Sequence, residues 1–164
     1  MPWRSSAEPM KGMDTLNEDF LEFIRLLESE KVQYLIVGGY AVALHGFPRY
    51  TGDIDFFVAI SEENARNLIR VFERLGFGEI GLEEQDFLEK RFVVEIGREP
   101  RKIQVLTGVD GIQFEECHRR ALRVDYEGTV MSFISLDDLE RNKEASGRSK
   151  DLIDLEELRK LRRE

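Results

Sequence analysis

The sequence has little of what stabilises exported or zinc-bound proteins. Its 164 residues include one cysteine, Cys117, so no internal disulfide can form, and this excludes a disulfide-bonded secreted scaffold. The two histidines, His45 and His118, lack the Cys/His spacing of zinc ligands. No apolar run approaches the ~20 residues that span a bilayer. Residues 1–13 lack the apolar segment of a signal peptide. We therefore expect a cytoplasmic protein that does not enter the membrane.

Positive charge is also scarce. The chain has 24 Lys and Arg against 33 Asp and Glu, a net charge of −9. This argues against a protein that coats nucleic acid non-specifically, because neutralising phosphates needs a basic surface, although a small basic site remains compatible with it. With 41% apolar and 35% charged residues, the composition is typical of a globular chain that buries one core.

The apolar spacing predicts one α+β domain over residues 14–164 that ends in C-terminal helices. Residues 1–13, with two prolines and two serines, are predicted to be a flexible leader. Helices are predicted at 14–30, 40–45, 61–75, 114–122, 136–145 and 150–161. Strands are predicted at 34–37, 53–58, 91–96, 102–106, 122–126 and 129–134. This order favours a small mixed, mainly antiparallel sheet flanked by helices.

A glycine pair, Gly38-Gly39, ends the strand predicted at 34–37 and precedes a short helix. The N-terminus of a helix presents free backbone N–H groups, which suit a phosphate. Glycine has no Cβ, so a phosphate could approach the backbone closely. Taken alone, however, most glycine pairs are only turns.

Two acids, Asp53 and Asp55, occupy alternating positions of a predicted strand. Residues i and i+2 of a strand share one face and lie ~7 Å apart, so the two carboxylates repel each other unless a cation lies between them. Such hard oxygen ligands suit Mg²⁺, and a pair of metal ions ~4 Å apart can hold both the attacking and the leaving oxygen of a phosphoryl displacement. The alternative is a strand-end turn with solvated acids.

The glycine pair, thirteen intervening residues and then Asp53-Ile54-Asp55 resemble the signature of the polymerase-β-like nucleotidyltransferase superfamily. Arg49 and Thr51 ahead of the acids, together with the segment 142–155, resemble its small prokaryotic branch, which includes abortive-infection and toxin–antitoxin nucleotidyltransferases. The resemblance extends over residues 34–158. It implies the nucleotidyltransferase-like fold.

The resemblance also implies a Mg²⁺-dependent reaction that moves a nucleoside monophosphate from a nucleoside triphosphate to an acceptor hydroxyl. The acceptor would be an RNA end or a protein, in a toxin–antitoxin setting, with a homodimer or a cognate partner protein supplying further surface. Asp53 and Asp55 would be the catalytic and metal-binding residues. The nucleotide-binding residues would be Gly38, Gly39, Arg49, Thr51 and Lys143.

One position departs from the family pattern. Members usually add a third carboxylate on a neighbouring strand, and the corresponding residue here is Gln104, whose neutral amide cannot take up a proton as a base. Glu95 and Asp110 are the nearest acids that could substitute for it. The alternative is a catalytically weakened nucleotide-binding or antitoxin-like interaction module, and a third possibility is a purely structural domain.

Some basic residues of the motif also have structural interpretations. Arg49 could form an ion pair that positions Asp53. Arg148, Lys150 and Asp151 could form an ion-pair cluster that locks the last helix.

Overall fold

The computed structural model describes residues 16–49 and 51–164 in full, together with the backbone of Trp3–Arg4. The flexible leader predicted over residues 1–13 therefore lies outside the described residues, apart from Trp3–Arg4, which form a short strand. Within the described residues, no helix is both long and apolar enough to cross a membrane.

The strands of the described chain form a single mixed sheet. They are β1 Trp3–Arg4, β2 Tyr34–Val37, β3 Ile54–Val58, β4 Val93–Arg98, β5 Arg101–Leu106, β6 Leu122–Tyr126 and β7 Thr129–Phe133. Their order across the sheet is β1-β6-β7-β2-β3-β5-β4. The antiparallel pairs β2–β3, β4–β5 and β6–β7 cover more residues than the parallel pairs β1–β6, β2–β7 and β3–β5. The predicted mixed, mainly antiparallel sheet is confirmed.

The predicted helices are all present. They are α1 Glu18–Ser29, α2 Gly38–Leu44, α3 Glu62–Arg74, α4 Phe114–Arg119, α5 Leu136–Ser146 and α6 Ser149–Arg163. The sequence patterns did not predict the 3₁₀ turn at Glu84–Leu88. Helix α1 begins later than expected because the side chain of Asn17 caps it, accepting a hydrogen bond from the backbone N–H of Asp19 at 2.6 Å. Helix α3 begins after Ser61, whose hydroxyl accepts from the N–H of Asn64 at 3.0 Å, as predicted.

Aromatic packing shows which helices cover each face of the sheet. Phe56 of β3 contacts Phe23 of α1, with ring centroids 5.1 Å apart, and Phe23 in turn contacts Phe72 of α3 at 5.9 Å. The next residue, Phe57, points to the opposite face and contacts Phe114 of α4 at 5.2 Å. Because side chains alternate along a strand, Asp55 shares the face of Phe57, which we call the site face.

Candidate functional site

The register of three neighbouring strands places a row of polar side chains across the site face. Asp55 on β3 pairs with Gln104 on β5, and Gln104 pairs with Glu95 on β4. On its other side, Asp55 pairs with Val37, the last residue of β2 before the glycine turn. Strand pairing therefore brings the acid motif, the glycine motif and the position of the expected third carboxylate together.

Asp53 lies immediately before β3 and is anchored by backbone contacts. One of its carboxylate oxygens, Oδ1, accepts a hydrogen bond from the backbone N–H of Lys102 at 3.0 Å. The hydroxyl of Thr51 donates to the backbone carbonyl of Asp53 at 3.2 Å. Thr51 thus stabilises the turn that precedes the acid pair. No group of residues 16–49 and 51–164 donates a hydrogen bond to the second carboxylate oxygen of Asp53.

Of the two acids, Asp55 is the one whose negative charge is poorly stabilised by its surroundings. Its Oδ1 atom is buried and has no hydrogen-bond partner among residues 16–49 and 51–164. Burial, and then the negative charge of Asp53, raise the pKa of Asp55 to about 6. A buried, unpartnered carboxylate oxygen beside a second carboxylate is stabilised by a cation, and hard oxygen donors suit Mg²⁺. The residues present therefore fit a divalent cation, although no group of three or more His, Cys, Asp or Glu residues that could hold one occurs in the described part of the chain.

The glycine pair makes room for the acid site itself. Helix α2 begins at Gly38, whose φ of +68° favours glycine. A Cβ atom at Gly38 would lie less than 3.0 Å from the carboxylate of Asp55, and one at Gly39 would lie less than 3.0 Å from the side chain of Thr51. The space that the missing Cβ atoms leave is occupied by Asp55 and Thr51, and the phosphate contact expected at the glycine pair, through its backbone N–H groups, stays a prediction.

Asp55 lines two adjoining clefts. The first cleft has a volume of about 460 Å³ and the second about 400 Å³. The residues that line both are Gly39, Arg49, Asp55, Gln104 and Lys150. The first cleft also includes Gly38 and Lys143, and the second includes Thr51 and Asp53. All of the site residues suggested by the sequence therefore lie on these two clefts.

The first cleft carries an excess of positive charge. Its basic residues are Arg49, Arg91, Lys143, Arg148 and Lys150, and its acidic residues are Asp55, Asp110 and Asp151. Such a concave surface attracts a polyphosphate, even though the chain as a whole is acidic. The small local basic site that the composition left open is thus present.

An ion-pair network joins this cleft to the last two helices. Arg49 donates to Asp154 at 2.9 Å, and the Lys143 ammonium donates to Asp151 at 2.8 Å and to Asp154 at 3.1 Å. The interpretation in which Arg49 positions Asp53 is therefore wrong, since the partner of Arg49 is Asp154. Lys143, only 5% exposed, is held between two carboxylates at the wall of the cleft.

Lys150 is the site residue that sequence reasoning assigned to the wrong role. Arg148 pairs with Asp151 at 3.1 Å, as the structural interpretation expected, but Lys150 is not part of that cluster. Lys150 is exposed and lines both clefts, and it forms no hydrogen bond or ion pair with any described residue. Its positive charge opposes the increase in the pKa of Asp55, so it acts on the acid site through space.

The two acids considered as substitutes for Gln104 differ in position. Asp110 follows the C-terminal end of β5, whereas Asp53 precedes the N-terminal end of the parallel strand β3, so the two lie at opposite ends of the strands. Asp110 is also paired with Arg91 at 2.8 Å. Glu95 lies beside Gln104 on the site face and accepts a hydrogen bond from its Nε2 atom at 3.0 Å.

Comparison with known structures identifies the fold. A candidate nucleotidyltransferase from Thermotoga maritima is 18% identical, over 88% of this chain and 90% of that one, with a TM-score of 0.55. An antigenic nucleotidyltransferase-like protein from Paracoccidioides brasiliensis is 19% identical, over 89% of this chain and 78% of that one, with a TM-score of 0.52. At these identities the two structures establish a shared fold only. No curated protein sequence matches the chain.

The sequence also matches a family along most of its length. Residues 15–161 match the family described as nucleotidyltransferase of unknown function, DUF6036. The matched range contains the glycine pair, the acid pair, α5 and all but the last two residues of α6. The chain therefore belongs to this nucleotidyltransferase family.

Proposed function

We propose that the protein is a Mg²⁺-dependent nucleotidyltransferase that moves a nucleoside monophosphate from a nucleoside triphosphate to an acceptor hydroxyl. The observation that carries this proposal is the buried, unpartnered oxygen of Asp55, which lies beside Asp53 at the border of a cationic cleft. A cation would stabilise the Asp55 oxygen, and a polyphosphate suits the positive charge of the cleft.

Asp53 and Asp55 would hold the cation, which when bound polarises the phosphoryl oxygens and neutralises charge that develops on them. The residues proposed to hold the nucleotide are Gly38, Gly39, Arg49, Thr51 and Lys143, to which the structure adds Lys150. In the described chain, Lys150 forms no ion pair with an acid, unlike Arg49 and Lys143. We therefore assign the direct phosphate contact to Lys150. Arg49 and Lys143 supply positive potential from fixed positions in the wall.

In the reaction, the acceptor oxygen forms a bond to the α-phosphorus while the bond between the α-phosphorus and the β-phosphate oxygen breaks. Pyrophosphate leaves, and the hydroxyl proton passes to water, because the Gln104 amide cannot accept it. The second cleft would receive the acceptor. In that cleft the acids Asp53, Asp55 and Glu99 outnumber the basic residues Arg49 and Lys150. Together with the net charge of −9, this favours a protein hydroxyl over an RNA end.

A second candidate function is nucleotide binding without transfer. The observation that favours it is Gln104, a neutral amide on the strand next to Asp55, where the resemblance to the polymerase-β-like superfamily implies an acid. Such a module would still bind the cation and the nucleotide, and it would act by interaction with a partner.

Thermal unfolding tests both candidates at once. The full chain is heated with each nucleoside triphosphate, with and without Mg²⁺, and compared with Asp53→Ala and with Glu156→Ala, an exposed carboxylate on α6. A ligand at a hundredfold excess over its Kd stabilises the native state by about 2.7 kcal/mol. We expect a Mg²⁺-dependent increase in Tm for the wild type and for Glu156→Ala, and none for Asp53→Ala.

A transfer assay then separates the two candidates. The α-³²P-labelled form of the nucleotide that raises the Tm is incubated with cell protein and, separately, with RNA. Label on protein supports the proposed transferase. Label on RNA would show that the protein is a transferase whose acceptor is RNA, not protein. Binding without any transfer supports the second candidate, and a Tm that no nucleotide changes contradicts both.

A further inference from the structure

The polar row on the site face contains one oriented amide. Asp55, Gln104 and Glu95 are register partners on β3, β5 and β4. Neighbouring strands lie about 4.8 Å apart, so the three side chains stand side by side. The Nε2 atom of Gln104 donates to Oε1 of Glu95 at 3.0 Å, away from Asp55.

Glu95 determines whether the nitrogen or the oxygen of the Gln104 amide faces the clefts. A carboxylate only accepts hydrogen bonds, so the amide nitrogen of Gln104 must face it. The amide oxygen is thereby turned away from Glu95. Gln104 lines both clefts together with Asp55, and no group in the described chain donates a hydrogen bond to that oxygen.

Glu95 is itself held in place. Its second oxygen, Oε2, accepts from the Lys102 ammonium at 3.3 Å, and Lys102 also pairs with Glu99 at 3.1 Å. Both oxygens of Glu95 are therefore engaged, one by Gln104 and one by Lys102. This carboxylate is better placed to orient Gln104 than to bind a cation directly.

We propose that the amide oxygen of Gln104 is a third, neutral ligand for the divalent cation held by Asp53 and Asp55, and that Glu95 is the positioning residue that presents it. The inference rests on the proposed function. Amide oxygens are hard ligands that bind divalent cations alongside carboxylates. The site then carries two formal negative charges where three carboxylates would carry three, so it binds the cation with fewer charges but with the same number of protein oxygens.

The test measures Mn²⁺ binding to the full chain by electron paramagnetic resonance, which needs neither nucleotide nor turnover. The variants are Gln104→Met, which keeps the length of the side chain but removes the amide oxygen, Glu95→Gln and the double variant. Glu127→Gln, an exposed carboxylate in the β6–β7 turn, is the control. Circular dichroism establishes that each variant is folded.

We expect Gln104→Met and Glu95→Gln each to weaken Mn²⁺ binding by about tenfold, a typical effect of residues that orient metal ligands. The loss in the double variant should be smaller than the two single losses combined, because Glu95 acts in part through the amide and in part through its charge on Asp55. Glu127→Gln should bind as the wild type does.

The outcomes separate this inference from the proposed function. Wild-type affinity in Gln104→Met, or additive losses in the double variant, would overturn the inference while leaving a site that Asp53→Ala abolishes. A wild-type protein that binds no Mn²⁺ would overturn both. If Gln104→Met does not fold, unchanged binding in Glu95→Gln still contradicts the positioning role.

Discussion

Arg49 and Asp154 form a 2.9 Å ion pair although 105 residues separate them in the chain. Asp154 also accepts from Lys143, so one carboxylate of α6 holds two cations of the first cleft. Asp154 is 2% exposed and both cations are largely withdrawn from water. The positions of Arg49 and Lys143 in the wall of the cleft therefore depend on the packing of α6.

Replacing Asp154 should destabilise the protein strongly. Asp154→Ala leaves Arg49 without its carboxylate partner and Lys143 with Asp151 alone, and breaking a buried ion pair costs about 3–5 kcal/mol. Urea unfolding measures the loss. Glu156→Ala, an exposed change on the same helix, should alter the free energy of unfolding by less than about 0.5 kcal/mol. Equal stability of the two variants would show that the network contributes little.

A methyl group at Gly38 should disturb the acid site directly. Gly38→Ala combines a left-handed backbone with a steric clash against the Asp55 carboxylate. The control is Gly76→Ala, which has a comparable φ of +90° but no neighbouring atom within 4 Å of the added Cβ. The control should lose about 1–2 kcal/mol from backbone strain alone, and Gly38→Ala should lose more.

The same pair of residues supplies a second check on that interpretation. If the clash with Asp55 is the cause, Gly38→Ala should cost less in an Asp55→Ala background than in the wild type, as a double-mutant cycle would detect. Equal costs in the two backgrounds would mean that backbone strain explains the whole effect.

Lys150 should matter for the nucleotide and not for the fold. A hydrogen bond to a charged group contributes about 1.5–3 kcal/mol, so Lys150→Ala should weaken nucleotide binding at least about tenfold while leaving the free energy of unfolding nearly unchanged. Calorimetric titration with the nucleotide provides the affinity. Lys160→Ala is the matched control, because Lys160 lies on α6 away from the clefts and pairs with Glu156 and Glu157 of the same helix. If Lys150→Ala binds the nucleotide as tightly as the wild type, Lys150 does not contact the phosphate.

Acid should weaken the protein through Asp151. Burial alone would raise the pKa of Asp151, but hydrogen bonds from Lys143 and Ser146 outweigh it and lower the pKa to about 2. A lowered pKa means that the ionised group stabilises the native state above its ordinary pKa, by about 2 kcal/mol here, and that this stabilisation is lost as the pH falls from about 4 towards 2.

Unfolding measured at several pH values checks this assignment. Asp151→Asn should be less stable than the wild type at pH 5, and the difference should shrink as the pH falls below 4. If the difference in the free energy of unfolding stays constant over that range, residues other than Asp151 cause the loss of stability in acid.

Most of the fold followed from local patterns. The run Tyr34–Val37, the glycine pair and the alternation around Asp55 each specify their own conformation, so strand, turn and acid face were predictable. The 3₁₀ turn at Glu84–Leu88 was not predicted, because its buried Phe87 belongs to no periodic segment and is fixed only by aromatic neighbours such as Phe72.

The different roles of Lys143 and Lys150 were only partly predictable from the sequence. Lys143 lies four residues after the buried Leu139, which places it on the inner face of α5. Lys150 is the second residue of α6, whose inner face carries Asp151 and Asp154. That spacing is a usable signal for which lysine is buried. The partner of Arg49 had no such signal, because only the packing of α6 against the cleft brings Asp154 to it.

The ion pairs of α6 also set the order in which the site is assembled during synthesis. A chain leaves the ribosome from its N-terminus, so the strands bearing Asp53, Asp55 and Gln104 emerge well before α6. Until α6 arrives, Arg49 lacks Asp154, and Lys143 lacks both of its carboxylates. A nascent protein would thus hold its acids in register before Arg49 and Lys143 are fixed, and the cleft would gain Lys150 and the ion pairs of Arg49 and Lys143 only with α6.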